Sequence, residues 1–317
     1  MGEGEAVATL VVTVSETVAA GVRLLRLART DGLDLPAWEP GAHIDLRLPG
    51  DLVRQYSLCG SQDDRASWTV AVLHQPAGRG GSHYLHHEVC VGDEIAVAGP
   101  RNLFPLAPAQ EYVFLAGGIG ITPLLPMIEQ VAHTGVSWRL HYGGRGRASM
   151  AFLDRLAAHA DHVHVHPEDE VGMLDVGTVL ASAGSGAEVY ACGPSPMLAE
   201  VERRCAETGH KLRIERFAAT PGLSVEVDSG SFEVELAQSG LTLEVPEGRA
   251  ITEMLDECGI FVPTSCQEGI CGTCETKVLG GEVDHRDSIL TEGERVGGDT
   301  MMLCVSRSRT PRLVLDL

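Results

Sequence analysis

Basic residues and aromatic rings are both scarce in this chain. Its 317 residues carry 24 Lys and Arg against 44 Asp and Glu, a formal net charge of −20. Such an acidic balance excludes nucleic acid and anionic membranes as natural partners. Any protein partner is expected to be basic where the two touch. Aromatic residues make up 4% of the chain and hydrophobic residues 44%, a balance that suits soluble globular modules. No apolar run approaches the roughly 18 residues that suggest a membrane span. The start, MGEGEAVATLVVTV, lacks the basic stretch and apolar core of a secretory signal, so a cytoplasmic location is expected. At 317 residues the chain exceeds what one hydrophobic core organises, so two or three domains are expected, in a monomer by default.

An even cysteine framework is missing too. Nine cysteines in such a chain do not read as disulfides, which leaves metal or redox chemistry. Cys266, Cys271, Cys274 and Cys304 are separated by four, two and 29 residues. Cys-x4-Cys-x2-Cys with a distant fourth cysteine is the plant-type [2Fe-2S] spacing. Zinc is the rival, because Cys-x2-Cys also opens structural zinc sites. Zinc ribbons usually use two facing knuckles, however, and Cys304 stands alone in MMLCVSRS. Within PTSCQEGICGTCETKVLGG, residues 263–281, Gly269 and Gly272 let backbone N–H groups come close to a cluster's sulfides. The iron–sulfur reading is therefore preferred. Cys59, Cys90, Cys205 and Cys258 sit among apolar residues and read as small buried hydrophobes. Ile251, Met254, Leu255 and Cys258 fall at helical spacing and read as core.

A one-electron cluster needs an electron source. Residues 111–219 alternate five strand patterns, from EYVFLAGG to KLRIERFA, with four helix patterns such as ITPLLPMIEQVAHTG and ASMAFLDRLAAHA. That alternation predicts an open, parallel, doubly wound sheet, with a ligand at the carboxyl ends of its strands. The first strand ends in Gly117-Gly118-Ile119-Gly120-Ile121-Thr122-Pro123, where glycines admit a pyrophosphate, Thr122 can cap the helix and Pro123 suits its first position. His141-Tyr142-Gly143-Gly144-Arg145 and Cys192-Gly193-Pro194 are expected to line the same crevice. Glu168, Asp169 and Glu170 follow the third strand and favour NADH, since carboxylates bind ribose hydroxyls and repel a 2′-phosphate. Arg145 and Arg147 could instead hold that phosphate, so NADPH stays open. His162, His164 and His166 alternate as on an exposed strand face.

Nicotinamides deliver hydride, whereas a [2Fe-2S] cluster takes one electron, so a converter is required and a flavin is the usual one. The first hundred residues read as short alternating strands with Gly, Pro or Asp turns, which predicts a small antiparallel barrel. Arg54-Gln55-Tyr56-Ser57-Leu58 offers a cation, a ring and a hydroxyl, of which Arg54 can grip a phosphate and Tyr56 lie along a flavin. Gly78-Arg79-Gly80-Gly81-Ser82 precedes a helix-like HYLHHEV and reads as an anion-binding turn with Ser82 as cap and Arg79 as counter-charge.

Together these motifs, RQYSL at 54, GRGGS at 78, GGIGITP at 117, ACGP at 191, ERF at 215 and the four cysteines, make the chain resemble phthalate dioxygenase reductase-type proteins. That group belongs to the ferredoxin reductase superfamily and includes vanillate O-demethylase reductases. The resemblance covers essentially the whole chain. It implies an FMN-binding β-barrel (1–109), an NADH-binding α/β domain (110–219), a linker (220–230) and an α+β, β-grasp ferredoxin domain (231–317). By the same resemblance Arg54, Gln55, Tyr56, Ser57, Arg79, Gly80, Gly81 and Ser82 would hold FMN. Gly117, Gly118, Gly120, Thr122, Arg145, Asp169, Cys192, Gly193 and Pro194 would receive NADH, and Phe217 would lie near the flavin. Tyr56, Ser57, Cys192 and Phe217 would border the hydride path, and Gln55 stands where threonine is common. The implied function is an NADH-dependent reductase that serves a terminal oxygenase of Rieske type. The alternatives are service to a haem-thiolate monooxygenase and a stand-alone NADH:flavin reductase or oxidase. A linker of this composition would let the ferredoxin part move.

Overall fold

The computed structural model describes residues 7–50, 52–218 and 230–317. The chain divides into two compact units, one ending at Glu215 and the next starting at Arg216. The expected linker lies, except for Gly230, outside the described residues.

The first unit begins with β1 (Val7–Ala19), β2 (Val22–Ala28), β3 (Ala42–Leu48), β4 (Leu52–Ser57), β5 (Ser67–Leu73), α1 (Gly81–His87) and β6 (Glu94–Asn102). These strands form one antiparallel sheet in the order β4-β3-β6-β1-β2-β5. A bridge between Leu58 and Val70 and a 2.9 Å bond from Cys59 N to Thr69 O join its two edges, so the sheet closes as a barrel. Alternation sets which residues face inward. In β2, Leu25 and Leu27 enter the barrel core, and in β5 Val70 and Val72 do the same. Their neighbours Val22, Leu24 and Ala71 point outward into a second core.

That second core is shared with the α/β part, where Phe114, Ile121, Leu125, Ile128, Trp138 and Tyr142 complete it. The elements there are β7 (Glu111–Gly117), α2 (Ile121–Ala132), β8 (Ser137–Gly144), α3 (Leu153–Leu156), β9 (Val163–Pro167), α4 (Glu168–Val171), α5 (Val176–Ala181), β10 (Glu188–Cys192), α6 (Ser195–Thr208) and β11 (Lys211–Glu215). The sheet is wholly parallel, in the order β11-β10-β7-β8-β9. The chain therefore reverses direction across the sheet between β7 and β10, and their carboxyl ends form the switch-point crevice.

The helix expected over residues 148–160 is broken. Only Leu153–Leu156 is α-helical, Phe152 sits at φ 65°, and short 3-10 turns flank the piece. Met150, Ala151 and Phe152 are buried in the shared core, so packing overrides local helix propensity. Cys59 and Cys205 are buried as expected, whereas Cys90 and Cys258 are exposed. His162 and His164, at and beside the start of β9, are exposed as expected and His166 is half-buried, but their rings are not isolated. His162 stacks on Trp138 at 4.7 Å and His164 on His141 at 4.7 Å.

The second unit contains β12 (Phe232–Leu236), β13 (Leu241–Val245), α7 (Ile251–Glu257), β14 (Glu275–Gly280), β15 (Val283–Asp284), α8 (Glu292–Gly297), β16 (Thr300–Met302), β17 (Arg307–Ser308) and β18 (Arg312–Leu315). Its main sheet runs β13-β12-β18-β14-β16, with β12 and β18 parallel and the other neighbours antiparallel. Ile251 and Leu255 of α7 pack against Val234, Leu243, Met301 and Leu313, which is a β-grasp arrangement. Met254 is partly buried there, while Cys258 ends the helix in solvent.

Candidate active site and cysteine centre

Three glycines stand at the switch point where neighbouring atoms pass too close for any side chain. A Cβ on Gly120 would lie 2.1 Å from the Cys192 carbonyl oxygen, one on Gly117 2.5 Å from Pro194 Cδ, and one on Gly193 2.9 Å from Gly117 Cα. The β7–α2 and β10–α6 turns thus touch backbone to backbone. Gly118 adopts φ 55° with nothing within 4 Å of its missing Cβ, an open left-handed position. The helix starts earlier than the sequence suggests. Gly120 is the N-cap, Thr122 lies inside α2, and its hydroxyl donates to Ile119 O at 3.0 Å instead of capping.

Ser57 ends β4 and is buried, and its hydroxyl donates to Glu215 Oε2 at 3.1 Å. Glu215 ends β11, in register beside Cys192 at the end of β10. Barrel and sheet therefore meet at one polar pair. Burial pushes the Glu215 carboxyl up to about 8, against the pull of the Ser57 bond. Cys192 is fully buried, and burial followed by the Glu215 charge raises its thiol well above the usual range. It remains a neutral thiol. Glu215 was visible only as a letter of the ERF motif; its role depends on Ser57, 158 positions away in sequence.

Beside Ser57, Tyr56 packs against the barrel core, and burial raises its phenol while the Arg54 charge pulls the other way. Gln55 donates to Asp45 Oδ1 at 3.1 Å, and Arg101 pairs with the same oxygen at 2.6 Å. Arg54 reaches across to the Gly78–Ser82 turn, where its Nη2 donates to Arg79 O at 3.2 Å. A Cβ on Gly81 would strike Arg54 Cγ at 2.7 Å. Gly80, at φ 86°, is the cap of α1 rather than Ser82. The Ser82 hydroxyl instead accepts from Gln75 N at 3.0 Å and ties off the turn.

At the far side of the crevice Glu168, Asp169 and Glu170 form the first turn of α4. Asp169 N donates to Arg145 O at 3.3 Å, and a Cβ on Gly146 would meet the Asp169 carboxylate at 2.5 Å. Arg147 pairs with Glu170 at 2.9 Å. The Arg145 side chain is exposed and makes no ion pair among the described residues. Phe217 is 42% exposed and follows the division after Glu215, so the first unit's geometry does not include it.

In the second unit Cys266, Cys271, Cys274 and Cys304 are all buried. Cys266 lies within hydrogen-bonding reach of Cys271 and Cys304, and Cys304 of Cys274, so the four thiols form one chain of contacts. Glu268 N donates to Cys266 Sγ at 3.3 Å. The loop between them turns through φ 55° at Gln267 and 67° at Gly269 and Gly272. A Cβ on Gly269 would meet Val305 Cγ2 at 2.6 Å and Asp287 Cα at 2.9 Å. Asp287, fully buried, accepts from Ile289 N and Leu290 N at 3.2 and 2.9 Å and backs the loop. Four converged thiols, with no histidine or carboxylate in the donor set, fit an iron–sulfur cluster.

A closed antiparallel barrel fused to a switch-point α/β sheet, followed by a four-cysteine β-grasp unit, defines a modular electron-transfer oxidoreductase. Comparison with known proteins is specific. Residues 234–309 match the 2Fe-2S iron-sulfur cluster binding domain family. The phenoxybenzoate dioxygenase subunit beta of Ectopseudomonas oleovorans is 45% identical over 92% of this chain and 91% of its own length. The solved structure of phthalate dioxygenase reductase, described as a modular structure for electron transfer from pyridine nucleotides to [2Fe-2S], superposes with a TM-score of 0.71. It is 34% identical, with 98% of each chain covered. An intact type IV self-sufficient cytochrome P450 monooxygenase superposes with a TM-score of 0.87 at 43% identity, over 98% of this chain. The chain spans only 41% of that larger protein. The chain belongs to the phthalate dioxygenase reductase-type family of oxygenase reductase components. Among the described residues no helix is long and apolar enough to cross a membrane.

Proposed function

We propose that this chain takes electrons from NADH and delivers them, through FMN and a [2Fe-2S] cluster, to a terminal oxygenase protein. A bound flavin would supply the change from hydride to single electrons, and a bound cluster one-electron carriage. The residues present suit both groups. The Arg54 side chain and the Gly80–Ser82 turn make a cradle that a Cβ on Gly81 would fill, suited to a phosphate. Tyr56 and Ser57 stand beside it on β4, and Gln55 is held by Asp45. Gly117, Gly118, Gly120, Thr122, Cys192, Gly193 and Pro194 form the nucleotide crevice. Asp169 and its acidic neighbours favour a ribose hydroxyl over a 2′-phosphate, and the Arg147–Glu170 pair leaves Arg147 neutralised. Arg145 remains for the diphosphate. The neutral Ser57–Glu215 pair and the neutral Cys192 thiol keep negative charge away from the hydride path, so these residues position and need not exchange protons. Phe217 is assigned to the flavin on the family resemblance. Cys266, Cys271, Cys274 and Cys304 are the proposed cluster ligands, and the convergence of Cys304, just after β16, on the buried loop that holds the other three is the observation that carries the reading.

The domain limits 1–109, 110–219 and 231–317, with a linker over 220–230, belong to the same proposal, as do a cytoplasmic location and a monomer. Residues 223–317 hold 18 acids and seven bases, which supports docking on a basic patch of the oxygenase. Phe261, 83% exposed five residues before Cys266, supplies an apolar centre for that contact. A Rieske oxygenase is the favoured acceptor. A haem-thiolate monooxygenase is the second reading, supported by the likeness to the P450 protein.

Anaerobic titration with NADH, beside analysis of released flavin and metal, tests the route. Flavin and cluster absorbance should bleach together, near three electrons per chain for one FMN and one cluster. Bleaching of flavin alone, or zinc in place of iron, would refute the proposal.

A further inference from the structure

The barrel carries a histidine cluster that the electron route leaves unused. His74 follows β5, and His83 and His87 lie one turn apart on α1. The His83 and His87 rings stack at 4.2 Å, and the His74 ring lies 5.8 and 5.1 Å from them. One ring nitrogen from each of the three lies within 4.8 Å of the others.

Two details give the cluster the character of a metal site. His87 Nδ1 sits 2.9 Å from His83 O; donating its proton there leaves the Nε2 lone pair free, which is how ligating imidazoles are commonly oriented. His74 Nε2 is buried with no hydrogen-bond partner among the described residues, and such an orphan calls for an explanation that an ion supplies. The neighbouring His86 is otherwise engaged, because its Nε2 lies 2.8 Å from Val72 O.

We propose that His74, His83 and His87 bind a borderline divalent transition-metal ion, zinc in the first instance, with water in the fourth position. Three imidazoles without a carboxylate suit zinc, nickel or copper and disfavour magnesium and calcium. Zn–N bonds of about 2.0–2.1 Å in tetrahedral geometry need donors about 3.4 Å apart. Rotation of the exposed His83 and His87 side chains closes that gap. His74 and His83 flank the Gln75–Ser82 turn, already tied by the bond from Gln75 N to Ser82 Oγ. A bound ion therefore clamps both ends of the turn that faces Arg54. The site stands on its own geometry, whatever occupies the rest of the barrel.

The test uses holoprotein without a polyhistidine tag, loaded with flavin and iron, and zinc titrated against a chromogenic chelator. Zinc-edge X-ray absorption is measured below one equivalent. The expected result is one zinc per chain with a nitrogen and oxygen first shell and imidazole scattering. His83→Ala and His87→Ala should each weaken binding by more than about tenfold, since even a lost outer-shell partner costs roughly 10–100-fold. Both positions are solvent-exposed, and unchanged circular dichroism would verify their folding. His133→Ala, at an exposed position after α2, should bind as the parent does. Sulfur in the first shell, or parental affinity in both His83→Ala and His87→Ala, overturns the site.

Discussion

Gly120→Ala isolates the closest approach in the crevice. Gly120 has φ −62° and ψ −4°, which any residue adopts, so alanine there adds contact without backbone strain. The new Cβ would meet Cys192 O at 2.1 Å, Cys192 C at 2.4 Å and Gly193 N at 2.7 Å. All three are main-chain atoms, and no rotamer can withdraw them. Restoring even a 3.0 Å contact moves the β7–α2 turn from the β10–α6 turn by roughly 1 Å. Overpacking typically costs about 1–3 kcal/mol, and a unit of this size loses about 2–4 °C per kcal/mol. Because backbone has to give, the upper half of that range applies, and the first unit's melting temperature should fall by roughly 4–12 °C. A displacement of about 1 Å can slow a positioned reaction by about 100-fold, so stopped-flow reduction of the flavin by NADH should slow to that extent. Gly118→Ala is the control: with nothing within 4 Å, it pays about 1–2 kcal/mol for its left-handed φ and leaves the crevice in place. The reasoning fails if Gly120→Ala melts within about 2 °C of the parent and reduces flavin at the parental rate.

Glu215 governs a stability slope with pH. Its folded pKa of about 8 lies above the reference value of 4.5, so the folded state keeps a proton that the unfolded chain releases, and stability falls as pH rises between the two. Glu215→Gln should flatten that fall in denaturant titrations, and Ser57→Ala, which removes a bond that lowers the pKa, should extend it to higher pH. Asp287→Ala strips an acceptor from Ile289 and Leu290 N–H, at about 1–3 kcal/mol for each donor left unsatisfied; cluster absorbance should be lost at lower denaturant while iron content at rest is unchanged. Phe261→Ala should lower turnover with the oxygenase several-fold, as a truncated aromatic anchor does, and leave turnover with a small artificial acceptor as it was. Equal loss with both acceptors would remove Phe261 from the docking surface.

Much of the architecture was legible because it is periodic. Alternation in VRLLRLA and SWTVAVL specified barrel strands, and the strand–helix rhythm after residue 111 specified a parallel sheet. Glycines at 117 and 120 read as room for a pyrophosphate; the structure shows that they, with Gly193, also let the two turns of the crevice approach each other. Local capping rules failed at Thr122 and Ser82, where a preceding 3-10 turn and a loop-closing bond took over the hydroxyls. The break at Phe152 was hidden because burial in a core shared with the barrel decided it. Glu215 and the His74, His83, His87 group were illegible for one reason: each depends on residues that only the folded chain brings together. The alternating His162, His164 and His166 were the more conspicuous in sequence, and His162 and His164 do lie exposed, stacked on Trp138 and His141.

The shared core also sets where this chain can be recombined. Val22, Leu24, Ala71 and Phe104 from the barrel side are buried at 8% exposure or less in one cluster with Phe114, Ile121 and Trp138. A chimera spliced at residues 109 and 110 would join two half-cores from different parents, each cut to a different partner's volume. Grafting a foreign nucleotide-binding half onto this barrel therefore requires transplanting the outward residues of β2 and β5 with it.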